Sequence, residues 1–192
     1  MKLLAASPRG FAMTRLIPSR RTTLKTLHLA MIPLFFWFML VQPRDVARWG
    51  RFWIDLHSVF GLIFVSIALF WFAMFLRKGL ASRPGPKLQG FARAVHHPLH
   101  VTLMWGIFGV AVTGFLLGLT SSIQLWAGDL VPIAYPMGWP KLNHLVGIAH
   151  TVEFYAIGVI AIAHAGFHIW RHIKVRDNAL RIMAPKVFHR YL

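Results

Sequence analysis

Apolar residues gather in four long stretches, roughly 24 to 41, 53 to 76, 97 to 120 and 143 to 170. Each is long enough to cross a bilayer as a helix rising about 1.5 Å per residue. The first reads LKTLHLAMIPLFFWFMLV, and the second contains WIDLHSVFGLIFVSIALFWFAMF. Both are apolar on every face apart from a few polar residues near one end, the pattern of a helix set in lipid rather than half against a soluble core. The third, from Val101 to Leu119, carries no charge, and the fourth sets Glu153 and four histidines among Ile, Ala, Val, Phe and Gly. Trp37, Trp49, Trp53, Trp126, Trp139 and Trp170 fall near the span ends, where an indole keeps its ring in the interface and its N–H in water. Backbone in hydrocarbon must satisfy its own hydrogen bonds, so the expected fold is an all-α integral membrane bundle of four transmembrane helices. One domain covers 1–192, with basic tails at 1–23 and 171–192.

Composition sharpens this. Of 192 residues, 57% are hydrophobic and 14% charged, too apolar for an ordinary soluble domain. The chain has no Cys, which removes disulfides, Cys-ligated zinc, iron–sulfur clusters and thioether-attached haem together. Any metal must rest on His, Met or carboxylates. The net charge of +16 comes from 21 Lys and Arg against 5 Asp and Glu. All but Arg44, Arg48, Arg51 and Lys141 of these cations fall in the two tails and the second connection. The positive-inside rule then puts both termini in the cytoplasm of a multi-pass inner-membrane protein. Anionic lipid headgroups account for the basic excess, and no nucleic-acid partner is expected. The N-terminal segment lacks an apolar run followed by a small-residue cleavage site, so it reads as a cytoplasmic tail.

The eleven histidines carry the functional information. Polar groups within a span are costly and usually functional. His28 lies one turn inside the first span from the cytoplasmic edge; His57 lies one turn inside the second from the opposite edge. The fourth span holds His150 and His164, fourteen steps apart. At about 100° per step they return to within about 40° of the same face, about 21 Å apart along the axis. One helix thus offers a ligand at two depths, and the first two spans each offer a partner at one: His28 with His164, His57 with His150. A flat macrocycle ligated axially from both sides suits such a geometry, since neutral imidazole is a standard haem ligand and bundle cores hold such cofactors. Gly61, Gly147 and Gly158 are placed to leave room for a ring.

The chain resembles the bacterial di-haem cytochrome b561 family over roughly residues 20 to 185. The resemblance rests on the His early in TTLKTLHLAM, the LHSVFG segment, HTVEFYAIGVIAIAH with its spaced His pair, and the closing RDNALRIMAP. It implies a four-helix, quinone-linked bundle with two haem b groups, whose axial ligands fall on His28, His57, His150 and His164, and ubiquinone as substrate or bound ligand. Some members of that family pass electrons from superoxide to ubiquinone. The expected function is electron transfer across the inner membrane between a periplasmic donor, either superoxide or a periplasmic redox protein, and membrane quinone. A membrane-anchor cytochrome b subunit of a larger oxidoreductase stays open, as does, less favoured, a non-haem di-iron enzyme suggested by HHPLH. Intramembrane His and Glu153 also fit a proton-relay transporter, which leaves the matched depths unexplained. No catalytic side chain is assigned, because the redox chemistry belongs to the cofactors.

The remaining polar residues refine the picture. His96, His97 and His100 open the third span, with Pro98 expected in its first turn. His97 and His100 share a face at i, i+3 and border either a haem's propionates, a quinone headgroup or lipid headgroups. His168 and His172 extend the His164 stripe toward the cytoplasm. His168 is the preferred quinone-binding imidazole with His100, and Arg171 is the alternative at that turn; titratable imidazoles supply both donors and a proton route. The connection at 121–142 is long enough to form a short amphipathic cap over the outer site. Arg44, Arg48, Arg51 and Lys141 either draw an anionic donor there or anchor the interface. Glu153, one turn below His150, is a proton relay, a tuner of the outer cofactor, or a group satisfied within the bundle.

Overall fold

The computed structural model describes residues 19–184 and 186–191, with the side chains of Arg44 and Ala47 outside that description. Lys2, Arg9 and Arg15, counted above among the tail cations, lie outside the described residues, as does Pro185. Four long helices dominate: α1 (Arg20–Leu40), α3 (Arg51–Lys78), α4 (Gly90–Thr120) and α5 (Pro140–Trp170). Short elements join them: α2 (Pro43–Val46) with a 3-10 turn at Ala47–Trp49, a hairpin of β1 (Trp126–Ala127) and β2 (Val131–Pro132), and α6 (Ala179–Met183). All four long helices are long and apolar enough to cross a membrane. Large apolar side chains such as Phe36, Leu62, Phe115, Val152 and Val159 stand exposed on them, as a lipid-facing girdle requires.

Local chemistry sets the helix ends. The Ser19 hydroxyl accepts the Thr22 N–H at 3.2 Å and starts α1. Pro140 opens α5, where its missing N–H costs nothing. Gly79, at φ +69°, closes α3. One expectation is corrected here: α4 starts at Gly90, so Pro98 lies about two turns inside it and not in its first turn. The segment GFARAVH is polar enough to sit in the interface and helical enough to extend the span into it. The cost is one intrahelical hydrogen bond, which Pro98 cannot donate.

The bundle core has two apolar clusters. Met31, Phe38, Phe64 and Ala68 join α1 to α3, and Leu103, Val110 and Ile157 join α4 to α5, with Ile107 and Phe154 packed against both. Glycines let α4 and α5 approach closely, as small residues do between membrane helices. A Cβ on Gly106 would sit 1.9 Å from Ile157 Cδ1, and one on Gly109 would sit 2.0 Å from Glu153 Oε1. Gly158, read above as room for a ring, instead receives Met39: a Cβ there would lie 2.7 Å from Met39 Sδ.

The long connection forms a short hairpin. Gly128 and Asp129 both have positive φ, and Leu130 donates to the Ala127 carbonyl at 3.2 Å, a two-residue turn matched to strand twist. It docks on the first turns of α3, where Gly128 N–H donates to Ser58 Oγ at 3.2 Å and Arg51 pairs with Asp129. The other end of the bundle is basic. There Arg20 donates to the Gly79 carbonyl, Lys25 to the Arg181 and Ala184 carbonyls, and Lys87 to the Arg176 carbonyl. The start of α1, the end of α3, the start of α4 and the end of α5 therefore share that face.

Candidate functional site

Histidines meet at both ends of the bundle. At the basic end, His28 of α1, His100 of α4 and His164 and His168 of α5 line one cavity of about 520 Å³, a volume in the range of cofactor sites. Its walls are otherwise largely apolar, including Met31, Phe35, Trp71, Leu103 and Phe154. Trp71 meets the His28 ring edge-on at 5.7 Å. The His164 ring lies 4.7 Å from that of His100 and 4.5 Å from that of His168. His28 and His164 are near enough to interact electrostatically, although they come from the two sequence-distant helices α1 and α5. His164 Nδ1 is buried with no hydrogen-bond partner.

At the hairpin end, His57 of α3 and His150 of α5 lie near each other. The Phe38 ring stands edge-on to His57 at 4.9 Å, and His57 Nδ1 is buried with no hydrogen bond of good geometry. His150 is better supported. Its Nδ1 lies 2.8 Å from Thr113 Oγ1, and that hydroxyl donates to Glu153 Oε2 at 3.0 Å. With the hydroxyl proton directed to the carboxylate, Oγ1 accepts from His150 Nδ1–H, and the imidazole presents Nε2 as its free nitrogen. The arrangement depends on two glycines, because a Cβ at Gly109 would strike Glu153 and one at Gly114 would come within 3.3 Å of His150 Cε1.

Buried ring nitrogens without partners are costly, about 1–3 kcal/mol each, and a metal is one partner that relieves the cost. A pair of histidines toward each end of the bundle, with no thiolate anywhere in the sequence, suits the bis-imidazole ligation of a b-type haem.

The third span's histidines are phased differently from the expectation. His96 and not His97 joins His100: the His96 and His100 rings are 4.3 Å apart, His96 is fully buried, and His97 is exposed. In a helix running from Gly90 both His96 and His97 neighbour His100, and packing against the connection after α3 buries His96 and leaves His97 exposed. The i, i+4 spacing to His100 is the signal that makes His96 a candidate. Two further partners escaped the sequence reading. Ser82, in the connection after α3, lies 3.2 Å from His96 Nε2, and Thr113 supports His150.

At the end of α5 both candidate residues lie close to the cavity, in different roles. His168 is 8% exposed and lines the cavity. Arg171, fully buried, opens a π-helical turn (Arg171–Val175) and is held by Asp177, with Nε at 2.9 Å and Nη2 at 2.5 Å from Oδ2. Arg176 and Asn178 take left-handed conformations, and Asp177 Oδ1 accepts the Ala179 N–H at 3.0 Å. The RDNAL segment is thus a tight fold-back that delivers one carboxylate to one buried guanidinium.

Buried imidazoles inside a four-span apolar bundle are what a helical membrane cytochrome requires. The chain belongs to the prokaryotic cytochrome b561 family, which it matches over residues 21–186. No curated protein matches it. Membership makes it a bacterial haem b membrane protein of electron transfer, and the match spans all four long helices.

Proposed function

We propose that this chain holds two haem b groups, one toward each face of the bacterial inner membrane, and carries electrons from a periplasmic donor to ubiquinone. The observation behind the reading is the paired placement of histidines at opposite ends of one bundle. His57 and His150 hold the outer group, and His28 and His164 hold the cytoplasmic one. When bound, haem b supplies a one-electron ferric/ferrous couple at each site.

The chain's own residues do the rest. Thr113 fixes the His150 tautomer, and the apolar walls keep water from both sites. The concentration of Lys and Arg at the end bearing the described termini supports a cytoplasmic side for that end. At the opposite end Arg48 and Lys141 favour an anionic donor, while Arg51 is committed to Asp129 and, at 3.6 Å, to Asp55. Superoxide is such a donor, and an acidic face of a periplasmic redox protein is another. With superoxide the balance is two O2•−, one quinone and two protons giving two O2 and one quinol. His168 lines the cavity as the donor to a quinone carbonyl, and His100, whose Nε2 carries a lone pair, relays protons beside it, while lipid headgroups meet the cations outside them.

A dithionite-reduced minus oxidised spectrum with a pyridine haemochrome assay tests the reading. Two b haems per chain are expected. Changing His57 or His150 to Ala should remove one haem, and changing His28 or His164 the other. Retention of two low-spin haems in all four variants refutes the assignment.

A further inference from the structure

His96, His100 and His168 form a second constellation, separate from the four proposed axial ligands. One ring nitrogen from each lies within 4.8 Å of the others. The hydrogen bonds around the triad decide which nitrogens are free. His100 Nδ1 lies 2.6 Å from the His96 carbonyl, which can only accept, so Nδ1 carries the proton and Nε2 carries a lone pair. His96 Nε2 meets Ser82 Oγ at 3.2 Å, and His96 Nδ1 is buried with no partner among the described residues. His168 Nε2 lies 3.4 Å from His100 Nε2. Two imidazoles are thus oriented through their outer nitrogens by a carbonyl and a hydroxyl, the support that metal-binding histidines characteristically have. Each offers a ring nitrogen within 4.8 Å of the one that His168 offers.

We propose that these three imidazoles bind a divalent borderline metal ion of the zinc class, with water completing a tetrahedron. The donor set is the three-nitrogen set that such an ion takes readily, and none of its members carries a charge that must be removed at neutral pH. The main objection is electrostatic, since a buried guanidinium, Arg171, faces the cluster. Asp177 answers it: its carboxylate makes two contacts with Arg171, and the pair is nearly neutral toward its surroundings. His97, exposed, points away. The site draws on α4, α5 and the connection after α3, so a bound ion would clamp three segments at the basic end. It stands whether or not quinone binds, and it shares His100 and His168 with the proposed quinone contacts. Occupancy by ion and by quinone would therefore exclude each other.

The test uses the tag-free, haem-loaded protein, stripped with a chelator and titrated with zinc chloride against a chromophoric competitor. One zinc per chain is expected beyond the haem iron. His96→Ala should weaken binding more than about 100-fold and Ser82→Ala roughly 10- to 100-fold, following the loss of a ligand and of an orienting partner respectively. His97→Ala serves as the control and should bind as the parent does. Equal affinity in the parent and His96→Ala overturns the proposal. Should His96→Ala fail to fold, zinc-edge X-ray absorption on the parent decides: nitrogen scatterers at about 2.0–2.1 Å with imidazole outer shells support the site, and their absence overturns it.

Discussion

Thr113→Val isolates the support of the outer site with almost no change in shape. The hydroxyl joins His150 Nδ1 at 2.8 Å to Glu153 Oε2 at 3.0 Å, so its loss separates a proposed axial ligand from the deepest carboxylate in the bundle. Through that chain Glu153 draws on the Nδ1 proton and makes the imidazole a stronger donor. A stronger donor favours the ferric state and lowers the potential. A hydrogen bond to a charged group is worth about 1.5–3 kcal/mol in net terms, and half of that felt differently by the two oxidation states is about 1 kcal/mol. For a one-electron couple a tenfold change in equilibrium constant is about 59 mV, so Thr113→Val should raise the outer potential by roughly 40–60 mV. The assay is a spectroscopic redox titration resolving both haems, with haem content measured alongside. Glu153→Gln should move the same potential in the same direction by less, since the amide still accepts from the hydroxyl. Full haem content with both potentials unchanged in Thr113→Val would refute the reasoning, as would a shift confined to the other haem.

Three further outcomes follow from packing and charge. Asp177→Asn leaves the Arg171 guanidinium buried without its carboxylate and should cost about 3–5 kcal/mol, read as a lower melting temperature and faster proteolysis beyond Trp170. Gly106→Ala drives a methyl into Ile157 and should cost about 1–3 kcal/mol; adding Ile157→Val, which removes the offending Cδ1, should recover part of the loss in a double-mutant melting cycle. Gly128→Ala places a Cβ at φ +59° and 2.5 Å from Val59 Cγ2, so the hairpin should lift from α3, seen as protease cleavage near Asp129 while the long helices stay protected.

The spans were legible because their lipid-facing sides are apolar, and lipid imposes one secondary structure on any such run. Their ends were less so. The seven residues from Gly90 to His96 mix charge with small and apolar residues and form helix only as an extension of the span behind them. The hairpin left no alternation to read, since each strand is two residues long. What identifies it is the pair of positive φ values at Gly128 and Asp129, supported by contacts to Ser58 and Arg51 that are distant in sequence. The histidines at 28, 57, 150 and 164 could be proposed from depth and spacing, but the supporting roles of Thr113 and Ser82 could not. A hydroxyl becomes an orienting partner only when another helix brings an imidazole to it, and no spacing within its own segment records that.

These supports share an origin. Helices α1, α3 and α5 carry the four proposed axial histidines, and α4 carries none. Yet α4 contacts the machinery at both ends: Thr113 holds His150, and His100 packs against His164 while His96 stands behind it. Its glycines at 106, 109 and 114 bring it close enough to α5 for those contacts to form. A helix that orients ligands without being one acts on their basicity and tautomer, and so on potential, before it acts on cofactor retention. Substitutions along the α5-facing side of α4 should therefore shift redox behaviour with haem content preserved, whereas histidine losses on the other three helices remove haem outright. On the proposed two-haem reading, the division would let one bundle keep its cofactors fixed while a single helix tunes their potentials.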